Sequence, residues 1–206
     1  CAEIVAVRGL LPVFISCLGV VLAGCKKAAS PSEGNGGSVG VSDSSSKQVL
    51  RLGNGAEPEG LDPHIVTGVP EHFILAALLE GLLSENPKTL APEPGMAERW
   101  EMSEDGREYT FHFRANAKWT NGDSVKAGDF AYSFQRMLTP ELGAKYGYML
   151  HVLKNAKAFN EGTLKDFSQV GVKAVDDRTL VLTLEEPTPY FLQLINHYSW
   201  YPVHPP

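Results

Sequence analysis

Two segments of the chain alternate between apolar and polar side chains, which is the period of a strand with one buried face. From Arg107 to Arg114 aromatic residues occupy every second position, and from Thr179 to Glu185 leucines do so. The polar residues 176–178 connect the second segment to Gly171–Asp176, an arrangement typical of a hairpin. We therefore predict a strand at 107–114 and a two-stranded hairpin at 171–185.

Other segments show helical spacing of their apolar residues. Glu71 to Leu83 has a broad apolar face, which predicts a helix that packs against a sheet. Ala127 to Leu138 has apolar residues at i, i+4, i+7 and i+8, and Thr139-Pro140 ends that pattern. A further helix is predicted from Tyr190 to Ile195. Because strands and helices do not alternate in regular βαβ units and no repeat is present, the fold class is mixed α/β.

Shorter patterns predict the connections and one more strand. Gln48 to Leu52 is a strand candidate, which the following glycines end. Met96 to Trp100 is predicted to form a turn, and Ser103 to Gly106 a reverse turn. The Asn-Gly pair within Thr120–Asp123 predicts a tight turn.

The N-terminal region is typical of an exported lipoprotein. The uncharged run from Gly9 to Gly24 is shorter than the ~20 residues that span a bilayer, and it has the length of a signal-peptide core. It ends in Leu22-Ala23-Gly24-Cys25, which resembles a bacterial lipobox. Residues 1–24 are thus predicted to be a lipoprotein signal peptide, and Cys25 the acylated residue. The chain opens with Cys1 instead of Met, so we expect that its true start lies upstream or is misread.

The segment that follows is predicted to be a tether. Serine and glycine make up more than half of Ala28–Ser46, a composition that cannot offset the entropy of ordering. Residues 25–48 are therefore assigned as an acylated N-terminus with a flexible tether, whose r.m.s. reach is roughly 25 Å.

Composition and charge narrow the classes of partner and chemistry. The 206 residues are 43% hydrophobic, and 18 Lys and Arg stand against 24 Asp and Glu for a net charge of −6. A nucleic-acid partner is disfavoured, because phosphates are held mainly by basic residues. All three cysteines lie in the first 25 residues, so the remainder has no disulfide or thiolate metal site. The six histidines show no H-x-x-x-H pair, and we expect neither a metal site nor a cofactor.

Several ordered motifs resemble the extracytoplasmic oligopeptide-binding proteins of ABC transporters, a branch of the bacterial solute-binding protein family 5. The resemblance covers about residues 49–204. It rests on Gly60–His64, Gly68–Glu71, Leu79–Leu82, Pro94–Trp100, Ser103–Gly106, Tyr109–Arg114, Ala117–Trp119, Asn121-Gly122, Ala127–Phe130, Tyr132–Arg136, Gly171–Asp177 and Pro187–Phe191.

The resemblance implies a bilobal, periplasmic-binding-protein-like fold of class II with an accessory domain. By this similarity residues 49–79 begin the first ligand-binding lobe, residues 80–204 form the accessory α+β domain, and residues 205–206 return toward the first lobe. Because family members are much longer, the chain looks like an N-terminal portion, and a second, ligand-closing lobe is expected beyond Pro206.

The resemblance also implies which residues bind the ligand. Thr67, Gly68 and Val69 match the family segment that pairs with the backbone of an extended peptide, a job that an exposed β-like stretch suits. Tyr146 matches a tyrosine that contacts the peptide, and His197 lies at family spacing where it could face the cleft.

The implied function is capture of oligopeptides outside the cytoplasm and delivery to the permease subunits of an ABC importer, without catalysis. The protein is expected to be a monomer held to the membrane through a lipid at Cys25. Dipeptides, nickel and haem stay open as ligands within the same class. Two other classes also stay open, a lipid-anchored hydrolase that uses paired carboxylates and an adhesin or signalling lipoprotein.

Overall fold

Ten helices and strands follow one another in the computed structural model, which describes residues 50–206. They are α1 (Val69–Leu78), β1 (Leu83–Glu85), β2 (Pro92–Pro94), β3 (Ala97–Met102), β4 (Glu108–Phe113), α2 (Ala127–Leu138), α3 (Ala156–Asn160), β5 (Val172–Asp176), β6 (Thr179–Thr183) and α4 (Phe191–Leu194). Short 3-10 turns lie at Pro140–Leu142, Gly147–Val152, Phe167–Gln169 and Tyr198–Trp200. The mixed α/β class predicted from the sequence is confirmed.

A four-stranded antiparallel sheet in the order β3-β4-β6-β5 forms the centre of this region. Phe111 of β4 lies opposite Trp100 on one side and Leu180 on the other. The strand predicted at 107–114 and the hairpin predicted at 171–185 are both confirmed, because their alternating apolar residues point into one buried face.

The core lies between one face of this sheet and helix α2. Phe130 of α2 packs edge-on against Phe113 at 5.1 Å and against Phe134 at 6.1 Å between ring centroids. All three rings are at most 1% exposed. The helix predicted at Ala127–Leu138 has the same bounds in the structure, because its amphipathic period coincides with the face that the sheet covers.

Helix α1 differs from its prediction in its bounds and in its packing. It begins at Val69, where Pro70 suits the first turn of a helix, and it ends at Leu78 instead of Leu83. Leu79 is extended, with φ −120° and ψ 160°, so the helix stops before it, and Gly81 then lies so close to the Tyr201 ring that a side chain there would come within 2.8 Å of it. The main packing partner of this helix among residues 50–206 is the 3-10 turn Tyr198–Trp200, and not a sheet as predicted.

Two further predictions were wrong. Met96–Trp100 was expected to form a turn, but its residues from Ala97 onward lie in strand β3, which pairs with β4. The strand predicted at Gln48–Leu52 is absent from its described part, since Leu50 and Leu52 are more than 80% exposed and pair with no strand of residues 50–206.

The reverse turn at Ser103–Gly106 and the tight turn around Gly122 are confirmed. Within residues 50–206 no helix is long and apolar enough for a membrane span.

Candidate functional site

The segment Thr67–Val69 runs into the first turn of α1 with its backbone partly free. Gly68 is extended, with φ 165° and ψ 163°. Its N–H donates to the Tyr198 hydroxyl at 3.4 Å, and its C=O accepts from the His72 N–H at 3.1 Å. The N–H and C=O of Thr67 and the N–H of Val69 have no hydrogen-bond partner among residues 50–206. The segment therefore keeps unpaired donors and an acceptor beside a fixed glycine.

A buried carboxylate packs closely against Gly68. A Cβ on Gly68 would collide with Oε2 of Glu71. Glu71 is only 4% exposed, and its Oε1 accepts from the Glu59 N–H at 2.8 Å. This side chain thus supports the entry to α1 from within, and a larger residue at 68 would displace it.

Tyr198 brings the separately predicted residues together. It is 2% exposed, and its hydroxyl donates to the Val66 C=O at 3.2 Å. Its ring lies 4.3 Å from that of His197, 5.7 Å from that of His72 and 6.0 Å from that of Tyr146. The structure therefore places Thr67–Val69, Tyr146 and His197 around one buried tyrosine.

Sequence reasoning missed Tyr198 and His72. The only signal in the sequence was adjacency, since Tyr198 follows His197 and His72 follows Glu71. Tyr198 bonds to Gly68 and Val66, and the ring of His72 lies beside those of His197 and Tyr198. All of these contacts join residues more than 100 positions apart, so local sequence patterns could not identify them.

His197 is held as a neutral ring. Its Nδ1 accepts from the Ser199 N–H at 3.2 Å, which leaves the proton on Nε2. Burial, and next the neighbouring His72, lower the pKa of His197 to about 4. The half-buried Tyr146 ring meets the imidazole edge-on at 5.1 Å and 88°. At neutral pH the predicted site residues thus present backbone groups and uncharged rings.

A hydrogen-bonded network fixes the chain just before this segment. Arg136 of α2 donates to both carboxylate oxygens of Asp62, at 3.0 and 2.6 Å. Its Nη1 also lies 2.9 Å from Nδ1 of His64, whose Nε2 donates to the Tyr201 C=O at 3.0 Å. His64 is 1% exposed. The network connects the approach to α1 with α2 and with the residues after the 3-10 turn Tyr198–Trp200.

The titration of this network follows from its burial. Burial is the main cause that lowers the pKa of His64 to about 4, and the charge of Arg136 acts in the same direction. For Asp62 burial alone would raise the pKa, but hydrogen bonds from Arg136 and from the His64 N–H, with the charge of Arg136, bring it below its ordinary value. At pH 7 Asp62 and Arg136 therefore form an ion pair beside the neutral imidazole of His64.

Two cavities differ in their position relative to this site. The larger, about 940 Å³, borders edge strand β5 and shares no residue with it. A smaller cavity of about 340 Å³ adjoins the site through His72 and is also lined by Asn196, whose amide atoms are shielded and have no hydrogen-bond partner in the described part of the chain. Residues 50–206 contain no cluster of three His, Cys, Asp or Glu that could hold a metal. Cys25 lies outside the described residues.

Comparisons with known proteins give concordant results. Residues 91–205 match the model of the bacterial extracellular solute-binding proteins, family 5 Middle. The chain is 41% identical over 186 residues to the dipeptide-binding protein DppE of Bacillus subtilis, covering 90% of this chain and 34% of that protein. It is 43% identical over 159 residues to the periplasmic oligopeptide-binding protein OppA of Salmonella typhimurium, covering 76% and 29%.

Solved structures agree with these relatives. Haemophilus influenzae OppA in complex with RPPGFSPFR matches with a TM-score of 0.70 and 39% identity, over 73% of this chain and 29% of that chain. The chain thus spans about a third of the length of the curated relatives it matches. A family model that covers more than half of the residues, together with these structural matches, decides the classification. The chain belongs to the bacterial extracellular solute-binding proteins of family 5.

Proposed function

We propose that the protein is the extracytoplasmic binding component of an ABC importer and captures oligopeptides in extended form. The observation that carries this proposal is the unpaired backbone of Thr67 and Val69. Because Gly68 is extended, its own N–H and the N–H of Val69 point to opposite sides. The Gly68 N–H donates to Tyr198, so the Val69 N–H points away from Tyr198, and this group and the unpaired groups of Thr67 are available to a ligand strand.

Backbone pairing suits a receptor that accepts many sequences. Main-chain hydrogen bonds are the same for every peptide, and the neutral rings of Tyr146 and His197 add contact surface without demanding a charge. Known relatives support the ligand class, since one bears the name oligopeptide-binding protein and a related structure contains the peptide RPPGFSPFR. Residues 49–79 would begin the first lobe and residues 80–204 the accessory domain of a monomer.

A dipeptide is the second candidate ligand, because DppE is named a dipeptide-binding protein and matches 90% of this chain. Binding of Ala₂, Ala₄ and Ala₆ by the full-length protein would separate the two. Mass spectrometry of the bound peptide tests the hydrolase alternative, since a receptor returns its ligand intact.

Replacing Val69 with Pro should weaken the binding of all peptides to the full-length protein by about 1 to 3 kcal/mol, because a buried hydrogen bond is lost. The substitution removes the free N–H at the first position of α1, where proline is well tolerated. The extended Gly68 also suits a residue before proline. Calorimetry with several unrelated peptides measures the effect.

Val69→Ala is the matched control, since it keeps the N–H and shortens a side chain that is 63% exposed. It should change affinity much less than proline does. A folded Val69→Pro protein that binds peptides as the wild type does would show that this segment is only a connecting loop.

We also propose that a lipid at Cys25 anchors the protein outside the cytoplasm and that residues 26–48 serve as its tether. The support is the sequence Leu22-Ala23-Gly24-Cys25 after an apolar run. Each buried methylene of an acyl chain contributes roughly 0.8 kcal/mol, so two chains or more give a firm anchor.

Cys25→Ala should release the protein from the membrane fraction, and globomycin should cause the unprocessed form to accumulate in the wild type. Cys17→Ala, which removes a cysteine from the predicted signal peptide, is the matched control and should leave fractionation unchanged. A Cys25→Ala protein that still sediments with membranes would rule out the lipid anchor at this residue.

A further inference from the structure

Two Asn-Gly pairs have the same sequence but different hydrogen bonds. They are Asn54-Gly55 and Asn121-Gly122, and a third pair, Asn35-Gly36, lies outside the described residues. Both described glycines are exposed and have a positive φ, 79° for Gly55 and 97° for Gly122. The two pairs therefore place the same reactive groups in two structural settings.

An Asn-Gly pair can lose ammonia without an enzyme. The backbone N of glycine gives up its proton and attacks Cγ of asparagine, so that a C–N bond forms while the bond from Cγ to Nδ2 breaks and ammonia leaves. Glycine permits this close approach because it has no Cβ. Water then opens the cyclic imide at either carbonyl, which gives aspartate or isoaspartate with no change in oxidation state. The reaction needs a glycine N–H and an asparagine amide that are both free to move.

The turn at Asn121 holds both reactive groups. The Gly122 N–H donates to the Trp119 C=O at 2.9 Å. Oδ1 of Asn121 accepts from the Asp123 N–H at 3.0 Å, and its Nδ2 donates to the Asp123 carboxylate at 2.7 Å. Attack on Cγ would break these hydrogen bonds, so the turn protects this asparagine.

The same groups are much less constrained at Asn54. The Gly55 N–H has no hydrogen-bond partner among residues 50–206. The Asn54 side chain makes one hydrogen bond within this region, from Nδ2 to the Ala56 C=O at 3.1 Å. Apart from its chain neighbours, no described residue comes within 4 Å of the position that a Cβ on Gly55 would take. The glycine N is therefore open to reaction.

We propose that Asn54 is a site of spontaneous deamidation in the folded protein and that the fold protects Asn121 from the same reaction. Attack at Asn121 breaks three hydrogen bonds and attack at Asn54 breaks one. The two additional bonds correspond to a difference in rate of about tenfold or more. The new carboxylate would lie beside the groove that Leu52 and Phe73 line. The inference is independent of the proposed function, because it requires no ligand.

The test is incubation of the full-length protein in mildly alkaline buffer, followed by peptide mapping with mass spectrometry. Residue 54 should become aspartate or isoaspartate about tenfold faster than residue 121, or faster still. Asn54→Gln is the matched variant, because the longer side chain would have to close a larger ring that forms more slowly. It should abolish the modification at residue 54 and leave the rate at residue 121 unchanged.

Unfolding in urea is the control for the local sequence. Without the fold both asparagines should react at similar rates, because the hydrogen bonds of the turn are gone. A difference that persists in urea would trace it to the neighbouring residues and overturn the inference. Two results on the folded protein would also overturn it, namely an Asn121 that reacts as fast as Asn54, and an Asn54 that keeps its amide while the unfolded chain loses it.

Discussion

Replacing Trp200 with alanine is expected to lower the free energy of unfolding by about 3 to 5 kcal/mol, the usual cost of deleting a large buried ring. Trp200 is 0% exposed and packs edge-on against Phe134 at 5.3 Å and against Phe191 at 5.9 Å. Its indole N–H has no hydrogen-bond partner among residues 50–206. The loss therefore comes from packing, because the neighbouring rings cannot fill the cavity.

The same substitution should also weaken ligand binding. Trp200 ends the 3-10 turn that carries Tyr198, and His197 directly precedes that turn. Without its anchor in the core this turn would hold both rings less firmly. Urea unfolding measures the stability, and calorimetry with a single peptide measures the binding.

Tyr190→Ala is the control for removal of an aromatic side chain, since an exposed position should change stability by less than about 0.5 kcal/mol. Trp200→Phe, which keeps a ring, should lower the free energy of unfolding by less than Trp200→Ala does. A Trp200→Ala protein that unfolds within 1 kcal/mol of the wild type would show that this part of the core repacks.

The elements that the sequence predicts well are those whose local period agrees with their burial. Helix α2 and strand β4 carry regular apolar patterns, and each buries the face that its pattern marks. In both, the buried residues lie on one side of the element. The local sequence pattern was therefore sufficient to predict these two elements.

Strand β3 shows why other elements were missed. Its sequence AERWEM has no alternation, and only Ala97 is fully buried. It is an edge strand, so its conformation depends on hydrogen bonds to β4 instead of on a buried face of its own. The prediction that helix α1 packs against a sheet was wrong for a related reason. Its apolar face does not mark a buried face, because Phe73 and Leu78 are more than 60% exposed.

The candidate site was only partly predictable. The family resemblance indicated Thr67–Val69, Tyr146 and His197, but it did not indicate that they meet. Their meeting depends on Tyr198, whose bonds to Gly68 and Val66 join residues 130 and 132 positions apart. Such contacts leave no periodic trace in the sequence, and only the fold brings them together.

Acidification from pH 7 to pH 4 is expected to destabilise the protein by about 3 kcal/mol through His64 alone. The pKa of His64 is about 4 in the folded protein against its ordinary 6.5, because the ring is buried. Between these values the unfolded chain binds a proton that the folded protein does not. The free energy of unfolding therefore decreases as the pH falls from 6.5 to 4. Above pH 6.5 the contribution of His64 to stability is retained.

The other titrating groups of this region act in the same direction but can be separated. His197 adds a smaller loss in the same window, because its ring is partly exposed to solvent. The pKa of Asp62 lies below its ordinary 3.8, so its contribution is lost only at still lower pH. The window between pH 6.5 and 4 thus belongs mainly to His64.

His64→Gln isolates this effect, because glutamine can donate to the Tyr201 C=O without titrating. Urea unfolding at pH 7 and pH 4.5 should show a loss that is about 2 kcal/mol smaller in this variant than in the wild type. His204→Gln, which removes an exposed imidazole, controls for loss of a histidine as such. Equal losses in the wild type and in His64→Gln would mean that burial does not lower the pKa of His64, and that the folded protein protonates this ring as readily as the unfolded chain does.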